Sequence, residues 1–191
     1  MVSDEMLAAH AALGDRAAFE TLVRRYQSRI HRLVRILVGD DWPDAEDLTQ
    51  ETFIRAFRGI AQFRHTSTFR TWLHRIALNV VWSYRTRRRQ RALTVPTTDR
   101  DGDGPPAEIA ASDDDPETTL IRRQAIDRAL AALSTEARAV VILRDVQGLE
   151  YHEIAAITGV PIGTVESRLF RARRRLRPLL EPVRPSARAS A

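Results

Sequence analysis

The chain has 191 residues, of which 43% are hydrophobic and 29% are charged, and its formal net charge is +5. This composition is typical of a soluble globular protein, and the absence of cysteine excludes disulfides, thiolate zinc sites and cysteine nucleophiles. The N-terminal stretch MVSDEMLAAH is acidic, unlike a secretory signal, and no apolar run approaches the roughly 18 residues of a membrane-spanning helix. We therefore expect a cytoplasmic protein.

The basic residues are all arginine, 30 in number. Guanidinium groups match phosphate oxygens and base edges, which favours a nucleic-acid partner wherever they cluster. Codon usage in a GC-rich genome explains an arginine bias equally well, so the bias alone does not decide the function.

Three long helices are predicted in the first half of the chain. Apolar residues recur at three- and four-residue spacing from Asp15 to Val38, which predicts one amphipathic helix. A second helix is expected from about Pro43 to Ile60, because proline is tolerated in a first helical turn. After a polar loop at residues 62–68, a third helix is expected over residues 69–90, and it ends among clustered arginines.

The composition changes between residues 94 and 117, where eight carboxylates stand against one arginine among scattered proline and glycine. Such a segment lacks the apolar periodicity that would offset the entropy of ordering it, which indicates a linker. Helical periodicity then resumes, and no strand alternation is present. The predicted organisation is all-α: a helical domain at 1–92, a flexible acidic linker at 93–117, a second helical domain at 118–180 and a disordered tail at 181–191.

Residues 151–170, YHEIAAITGVPIGTVESRLF, carry the pattern of a helix-turn-helix motif. The small Ala155 lets two helices approach, Gly159 accepts the left-handed conformation of the turn, and Val165 locks the second helix onto the first. The second helix would present its first turns to base edges and its arginines to phosphates. The predicted duplex-binding residues are Thr164, Glu166, Ser167, Arg168, Phe170, Arg171 and Arg174. A helical hairpin with a solvated arginine face is the alternative.

The two halves of the chain, in this order, resemble the extracytoplasmic-function sigma factors, the two-domain bacterial initiation factors of the sigma-70 family. The resemblance spans roughly residues 5 to 180 and includes DAEDLTQETF in the first half and GTVESRLF in the second. It implies sigma region 2 and region 4 domains and a promoter-specificity subunit of RNA polymerase. Promoter DNA would be bound as duplex at the minus-thirty-five element and as single strand at the minus-ten element.

Four polar side chains on the predicted second helix form the expected polymerase-binding patch. Asp47, Gln50 and Glu51 share one helix face by their i, i+3 and i+4 spacing. The resemblance implies that this face, with Asp44, docks on the basic clamp helices of the largest polymerase subunit, while the flap receives the second domain. The alternative is a solvated acidic face with Glu51 paired to Arg55. The opposite, buried face is expected to contain Ala45, Leu48, Thr52, Phe53, Ala56, Phe57 and Ile60.

The resemblance further implies that the third helix and the loop before it face the minus-ten element. Capture of unstacked bases needs a polar or aromatic pocket beside a cationic surface. The implied residues are Arg64, His65, Thr66, Ser67, Arg75, Asn79, Ser83, Arg85 and Arg88. Trp72 is expected in the core, Trp82 is undecided, and Phe69 occupies a position that is aromatic in the larger housekeeping sigma factors.

Two residues depart from the family pattern. Glu166 stands where the family commonly has Lys or Arg, and its carboxylate can accept a hydrogen bond from a cytosine amine, which predicts a different minus-thirty-five preference. Glu150 replaces a frequent serine cap, at an expected cost of about 1 kcal/mol. No acidic autoinhibitory N-terminal region is seen, so we expect control by a separate anti-sigma factor rather than self-inhibition. The acidic linker either threads the RNA-exit path of the polymerase or serves only as a tether.

Two other functional classes fit the sequence less well. A stand-alone helix-turn-helix regulator would need a dimerisation helix, and no apolar helix is left over for one. An enzyme would need a site, yet the five histidines show no metal-binding spacing and no glycine-rich phosphate loop or nucleophile motif occurs. We therefore expect no enzymatic activity, no metal and no cofactor.

Overall fold

The structure is a computed structural model that describes residues 2–39, 44–64, 66–94 and 116–181. Regular structure in these ranges is entirely helical, which confirms the predicted all-α class. Its helices are α1 (Asp4–Ala12), α2 (Arg16–Val38), α3 (Asp44–Gly59), α4 (Phe69–Thr94), α5 (Pro116–Ala131), α6 (Thr135–Val141), α7 (Tyr151–Thr158) and α8 (Ile162–Leu180). A 3-10 turn (Ile60–Gln62) follows α3, and a π-helical turn (Ile142–Val146) follows α6. Most of the predicted linker and nearly all of the predicted tail lie outside these ranges.

Helices α1 to α4 form the first helical unit around one apolar core. The predicted stripe of α2 is buried as expected, with Leu22, Ile30 and Leu33 at most 1% exposed. Helix α4 contributes Leu73 and Leu78, both fully buried, to the same core. Each side chain of this size stabilises the fold by about 1.5–3 kcal/mol when it leaves water, so the three-and-four spacing of apolar residues decides which faces meet.

Helix α1 is absent from the sequence-based prediction, because its nine residues are too few to show an apolar period clearly. The Ser3 hydroxyl caps it by accepting a hydrogen bond from the backbone N–H of Met6 at 3.2 Å. The Asp4 carboxylate ties the helix to α2, since it lies 2.6 Å from the Arg25 guanidinium and accepts a hydrogen bond from the Tyr26 hydroxyl. Burial, together with this carboxylate, raises the pKa of Tyr26 far above its ordinary value.

The predicted buried face of α3 needs one correction, at Phe57. The residues of that face that are buried are Ala45, Leu48, Thr52, Ala56 and Ile60. Phe53 is half-buried, and Phe57 is 48% exposed, with its ring centroid 5.1 Å from that of Phe19. Position 57 lies at the margin of the 3.6-residue stripe, so only one edge of its ring reaches the core.

Phe69 at the start of α4 is a core residue and is only 1% exposed. Its ring centroid lies 5.6 Å from that of Tyr26 and 5.7 Å from that of Trp72. The Phe69 ring therefore cannot stack on an unpaired base while the first unit is folded. Trp72 is half-buried in this aromatic cluster, in line with its expected core position. Trp82 is also half-buried, which leaves its role open.

Helices α5 to α8 form the second helical unit, in which α7, the following turn and α8 make the predicted helix-turn-helix. Gly159 has a φ of 71°, the left-handed conformation expected for the turn, and its N–H donates to the carbonyl of Ala155 at 2.9 Å. Ile154 and Val165 are fully buried between the two helices, and Leu169 is 2% exposed. The three requirements of the motif are thus met by the residues that the sequence indicated.

The start of α7 is better restrained than the sequence suggests. Glu150 occupies the N-cap position, and its backbone N–H donates to the Glu153 carboxylate at 2.9 Å. The Glu150 carboxylate lies 3.0 Å from the Arg144 guanidinium, which also lies over the ring of Tyr151, 4.9 Å from its centroid. These contacts compensate for the missing serine cap.

Candidate protein-binding and nucleic-acid interfaces

An acidic surface lies on α3, on the side away from the core. Asp47 and Gln50 are exposed and Glu51 is half-buried, so the three side chains share one face as predicted; we name them the acidic α3 surface. Glu51 Oε1 lies 2.7 Å from Nε of Arg55, the i, i+4 pair of the alternative interpretation. Such a pair stabilises a helix by only about 0.3–0.5 kcal/mol, so it leaves Glu51 able to exchange Arg55 for a basic partner.

Asp44, three residues before Asp47 on α3, also contacts the neighbouring helix α4. Its carboxylate accepts a hydrogen bond from the Tyr84 hydroxyl of α4, and this contact ties the start of α3 to α4. Burial of the Tyr84 ring, followed by the effect of this carboxylate, raises the pKa of Tyr84. Asp44 therefore contributes to the packing of the first unit, and its role in polymerase binding stays a prediction.

The loop before α4 and one face of α4 carry the residues predicted for the minus-ten element. Arg64 and Thr66 are exposed and Ser67 is half-buried, whereas His65 lies outside the described residues. Asn79 and Ser83, one helical turn apart, are both exposed on α4. These side chains are accessible to a strand that follows the loop onto the helix.

Two of the arginines predicted for the minus-ten element make hydrogen bonds within the chain. Arg85 Nη1 donates to the carbonyl of Leu37 at 2.7 Å and so holds the end of α2 against α4. Arg75 Nη2 donates to the carbonyl of Ala156 in α7 at 2.6 Å. Arg88, further along α4, has an exposed side chain. Helical spacing places these arginines on α4, but it cannot reveal which distant carbonyl meets them.

Helix α8 presents most of the residues predicted for duplex binding on its solvent side. Exposed on α8 are Glu166, Ser167, Phe170, Arg171 and Arg174, while Thr164 and Arg168 are half-buried. The Phe170 side chain is 69% exposed, although it is large and apolar. An apolar side chain in this place can contact the methyl group of thymine in a major groove.

The sequence-based prediction missed the contacts by which the two helical units meet. Helix α4 packs along α7, and α2 touches α6. Across this junction the Thr71 hydroxyl donates to the Glu153 carboxylate at 3.0 Å, and the Arg70 guanidinium donates to the carbonyl of Gln147. The Gln147 side-chain amide in turn donates to the carbonyl of Arg29 at 3.3 Å. Most acceptors in these contacts are backbone carbonyls. Every residue carries one, so the sequence does not indicate which carbonyl accepts.

His74 of α4 is fully buried beside this junction. Its Nδ1 atom lies 2.7 Å from the carbonyl oxygen of Arg70. Burial, together with the positive charges of Arg70 and Arg29, lowers the pKa of His74 to about 4, although the hydrogen bond to the carbonyl opposes the shift. The imidazole is therefore neutral in the folded chain near pH 7.

We expect the folded chain to lose stability as the pH falls from 6.5 towards 4. The folded-state pKa of His74, about 4, lies below its ordinary value of 6.5, so the unfolded chain takes up the proton first. Above pH 6.5, neutral His74 makes its full contribution to the free energy of unfolding. About 3 kcal/mol of that contribution is lost as the pH falls from 6.5 to 4. Denaturant unfolding of the wild type and of His74→Gln at several pH values measures the loss as a difference, in which carboxylate titration cancels. Parallel pH profiles of the two proteins would contradict the expectation.

No helix in the described part of the chain is both long enough and apolar enough to cross a membrane. Within the same residues, no three histidine, aspartate or glutamate side chains gather into a group that could hold a metal ion.

Two family models match the chain. Sigma-70 region 2 matches residues 22–91, and Sigma-70 region 4 matches residues 123–176. The first match covers most of α2 to α4 and the second covers most of α5 to α8, so each helical unit corresponds to one family domain.

Known proteins match almost the whole chain. The RNA polymerase sigma-H factor of Pseudomonas aeruginosa is 34% identical over 184 residues, which cover 94% of this chain and 95% of that protein. The ECF RNA polymerase sigma-E factor of Salmonella typhimurium is 36% identical over 193 residues, which cover 95% of this chain and 96% of that protein. Among solved structures, the sigma factor RpoE in complex with the anti-sigma factor NepR from Bartonella quintana is 28% identical with a TM-score of 0.73, over 87% of this chain and 98% of that one. These relatives favour a sigma factor over a stand-alone regulator. The chain belongs to the extracytoplasmic-function sigma factors of the sigma-70 family, the dissociable initiation factors of bacterial RNA polymerase.

Proposed function

We propose that this sigma factor binds core RNA polymerase through the acidic α3 surface and reads promoters with α8 and with the loop and face of α4. Two exposed surfaces of opposite charge support these separate roles. Carboxylates are exposed on α3 of the first unit, and arginines are exposed on α8 of the second. One chain can thus hold a basic protein surface and an anionic duplex at the same time. The protein works in the cytoplasm and carries out no covalent chemistry of its own.

The acidic α3 surface fits a basic partner such as the clamp helices of the largest polymerase subunit. Asp47 and Gln50 stand exposed one turn apart, and Glu51 is held near them by Arg55. Charge complementarity at such a surface speeds association and fixes orientation more than it adds affinity. The second unit binds the flap of the polymerase, which places α8 beside the upstream duplex.

Helix α8 reads the minus-thirty-five element in the major groove. Glu166 and Phe170 are exposed one turn apart, and they offer a hydrogen-bond acceptor and an apolar ring to base edges. Arg171 and Arg174 extend from the same helix toward phosphates, which position the helix without reading sequence. The preferred element therefore includes a cytosine opposite Glu166 and a thymine near Phe170.

The minus-ten element is captured as single strand by the first unit. Arg64 and Thr66 of the loop and Asn79 and Ser83 of α4 offer hydrogen bonds to unstacked bases and to the strand backbone. The buried Phe69 takes no part, so strand capture here relies on polar groups and not on stacking by that ring. By likeness to the Bartonella quintana sigma factor, which was solved with an anti-sigma factor, we propose that a separate protein of that kind also binds this chain.

Run-off transcription with core RNA polymerase on genomic fragments tests this function. We expect transcripts that begin downstream of a shared pair of sequence elements only when the chain is added. A chain that binds duplex as a stable dimer but neither binds core polymerase nor starts transcription would overturn the proposal in favour of a stand-alone regulator.

Replacement of Glu166 by arginine is expected to change which minus-thirty-five sequences are bound. Loss of a cytosine contact removes about 1–3 kcal/mol of discrimination at one base pair, roughly a 5- to 150-fold effect. Competition between duplexes that differ at single positions measures this discrimination.

The matched control for Glu166→Arg is Arg174→Ala, which removes a phosphate contact on the same helix. It should weaken binding to all sequences about equally. It should also reduce by about one the slope of the logarithm of the binding constant against the logarithm of the salt concentration. An unchanged base preference in Glu166→Arg would show that Glu166 does not face the bases.

A further inference from the structure

One face of α4 carries an open pocket of about 490 Å³, which is the size of an ordinary ligand pocket. Its lining residues are spaced i, i+3, i+4, i+7 and i+8, so they share one side of the helix. They are Asn79, Trp82, Ser83, Thr86 and Arg87. The sequence predicts Asn79 and Ser83 as minus-ten residues, leaves Trp82 undecided and does not indicate the other two.

Trp82 presents an apolar ring surface to this pocket. Its side chain is half-buried and packs partly against the core. The indole Nε1 atom is buried and has no hydrogen-bond partner among the described residues, so the exposed part of the ring is carbon. A flat carbon surface at the wall of an open pocket can stack on a nucleic-acid base, because every base has a π-face.

The other phenylalanine, tryptophan and tyrosine rings of α4 are already engaged. Phe69 is 1% exposed, and its ring packs with that of Trp72 in the aromatic cluster at the start of α4. The Tyr84 hydroxyl donates a hydrogen bond to the Asp44 carboxylate. Trp82 is therefore the aromatic side chain of α4 that is placed to stack on a base.

The remaining walls of the pocket offer hydrogen bonds to a nucleotide. Asn79 has an amide donor and acceptor, and Ser83 and Thr86 have hydroxyls; all three side chains are exposed. Arg87 Nε donates to the carbonyl of Ser83 at 3.2 Å, which holds the guanidinium beside the pocket with its terminal nitrogens able to donate to a phosphate. The described lining contains no carboxylate that would repel an anionic strand.

We propose that this pocket binds one unpaired nucleotide of the minus-ten strand, with the base stacked on Trp82 and the phosphate held by Arg87. The nucleotide must be unpaired, because a base within a duplex has its faces covered by its neighbours and must leave the stack to meet a side chain. Stacking tolerates every base, so the preference for one base comes from the amide of Asn79. This inference rests on the proposed function and adds an aromatic residue to the polar groups that capture the strand.

Binding of single-stranded DNA by two Trp82 variants tests the proposal. The probe is the minus-ten strand of a promoter found by run-off transcription, and the protein is the complex of the full chain with core polymerase. Trp82→Leu keeps an apolar side chain but removes the ring, and we expect it to weaken binding about 5- to 150-fold, the effect of one base–aromatic stack. Trp82→Phe keeps a ring and should bind within about threefold of the wild type.

Binding of the strand by Trp82→Leu at the level of the wild type would overturn the proposal. Equal losses in Trp82→Leu and Trp82→Phe would also overturn it, because they would assign Trp82 to packing alone. Unchanged affinity for a minus-thirty-five duplex checks that both variants are folded. If the wild-type complex neither transcribes nor binds the strand, the proposed function fails and this inference fails with it. If the wild type does both and Trp82→Leu matches it, only the inference is wrong.

A fluorescent base provides a measurement that does not depend on the folding of a variant. 2-Aminopurine is placed in turn at each position of the minus-ten strand, and its emission falls when its ring stacks. We expect emission to fall at one position when the strand binds the wild-type complex, and this fall to be absent with Trp82→Leu. Emission that falls at no position with the wild type would overturn the proposal.

Arg87→Gln tests the phosphate contact. Loss of one contact to a single strand should reduce by about 0.7 the slope of the logarithm of the binding constant against the logarithm of the salt concentration. Arg24→Gln, at an exposed position of α2 outside the pocket, removes the same charge and should leave the slope unchanged. Equal slopes for Arg87→Gln and the wild type would overturn the assignment of the phosphate to this pocket.

Discussion

Replacement of Arg138 by methionine is expected to lower the free energy of unfolding of the second helical unit by about 3 kcal/mol. Arg138 is 7% exposed. Its guanidinium donates to the carbonyls of the last two residues of α5, Leu130 at 2.8 Å and Ala131 at 3.1 Å. Carbonyls in the last turn of a helix have no partner within it, and removal of the guanidinium takes a donor from both, although the Leu130 carbonyl still accepts a hydrogen bond from the N–H of Leu133 at 3.1 Å. A third bond, to the carbonyl of Ile36 in α2 at 3.2 Å, is lost as well.

Arg138→Lys is the conservative variant in this series. An ammonium group cannot reproduce the fork that reaches several carbonyls at once, so its loss of stability should lie between those of the wild type and methionine. Arg174→Met, at an exposed position of α8, removes the same charge and should change stability by less than about 0.5 kcal/mol. Denaturant unfolding of all four proteins measures these differences, and equal midpoints for Arg138→Met and Arg174→Met would contradict the assigned role.

Reversal of the charge at Asp47, by Asp47→Arg, is expected to weaken binding to core RNA polymerase at least about tenfold, or about 1.4 kcal/mol. Asp47 is exposed on the acidic α3 surface, one helical turn before Gln50 and Glu51 on the same face. A guanidinium at this point would face the basic partner surface of the proposed function, where like charges repel and the encounter rate falls. The dissociation constant, measured by fluorescence anisotropy at two salt concentrations, reports both effects.

The control for Asp47→Arg is Glu20→Arg on α2, an exposed position that undergoes the same charge change away from the acidic α3 surface. If the α3 surface binds the polymerase, Glu20→Arg should bind within about twofold of the wild type. Equal losses in both variants would mean that net charge, and not the acidic α3 surface, governs binding. Unfolding curves should coincide with that of the wild type, because neither side chain belongs to the core.

The elements that were predicted well are those with many turns and a strong apolar period. Helix α2 shows its stripe over 23 residues, and the helix-turn-helix places Gly159 at a left-handed backbone position and Val165 in the core. Helix α1 was not predicted because nine residues give little periodicity. The predicted burial of Phe57 was wrong because a residue at the edge of an apolar stripe can be either buried or exposed. The residues of the predicted interfaces are accessible in part, and their roles remain predictions until the binding experiments are done.

Local spacing and composition determined the longer helices, the two-unit organisation and the turn of the helix-turn-helix, because each depends on residues that are neighbours along the chain. The resemblance of several motifs in order indicated the family. Tertiary structure alone decided that Asp44 bonds to Tyr84, that Arg138 closes the end of α5, and that Arg75 meets a carbonyl of the other unit. These partners lie far apart in sequence, and several are backbone carbonyls that every residue carries. Only folding brings such groups within hydrogen-bonding distance, so no pattern in the sequence predicts these hydrogen bonds.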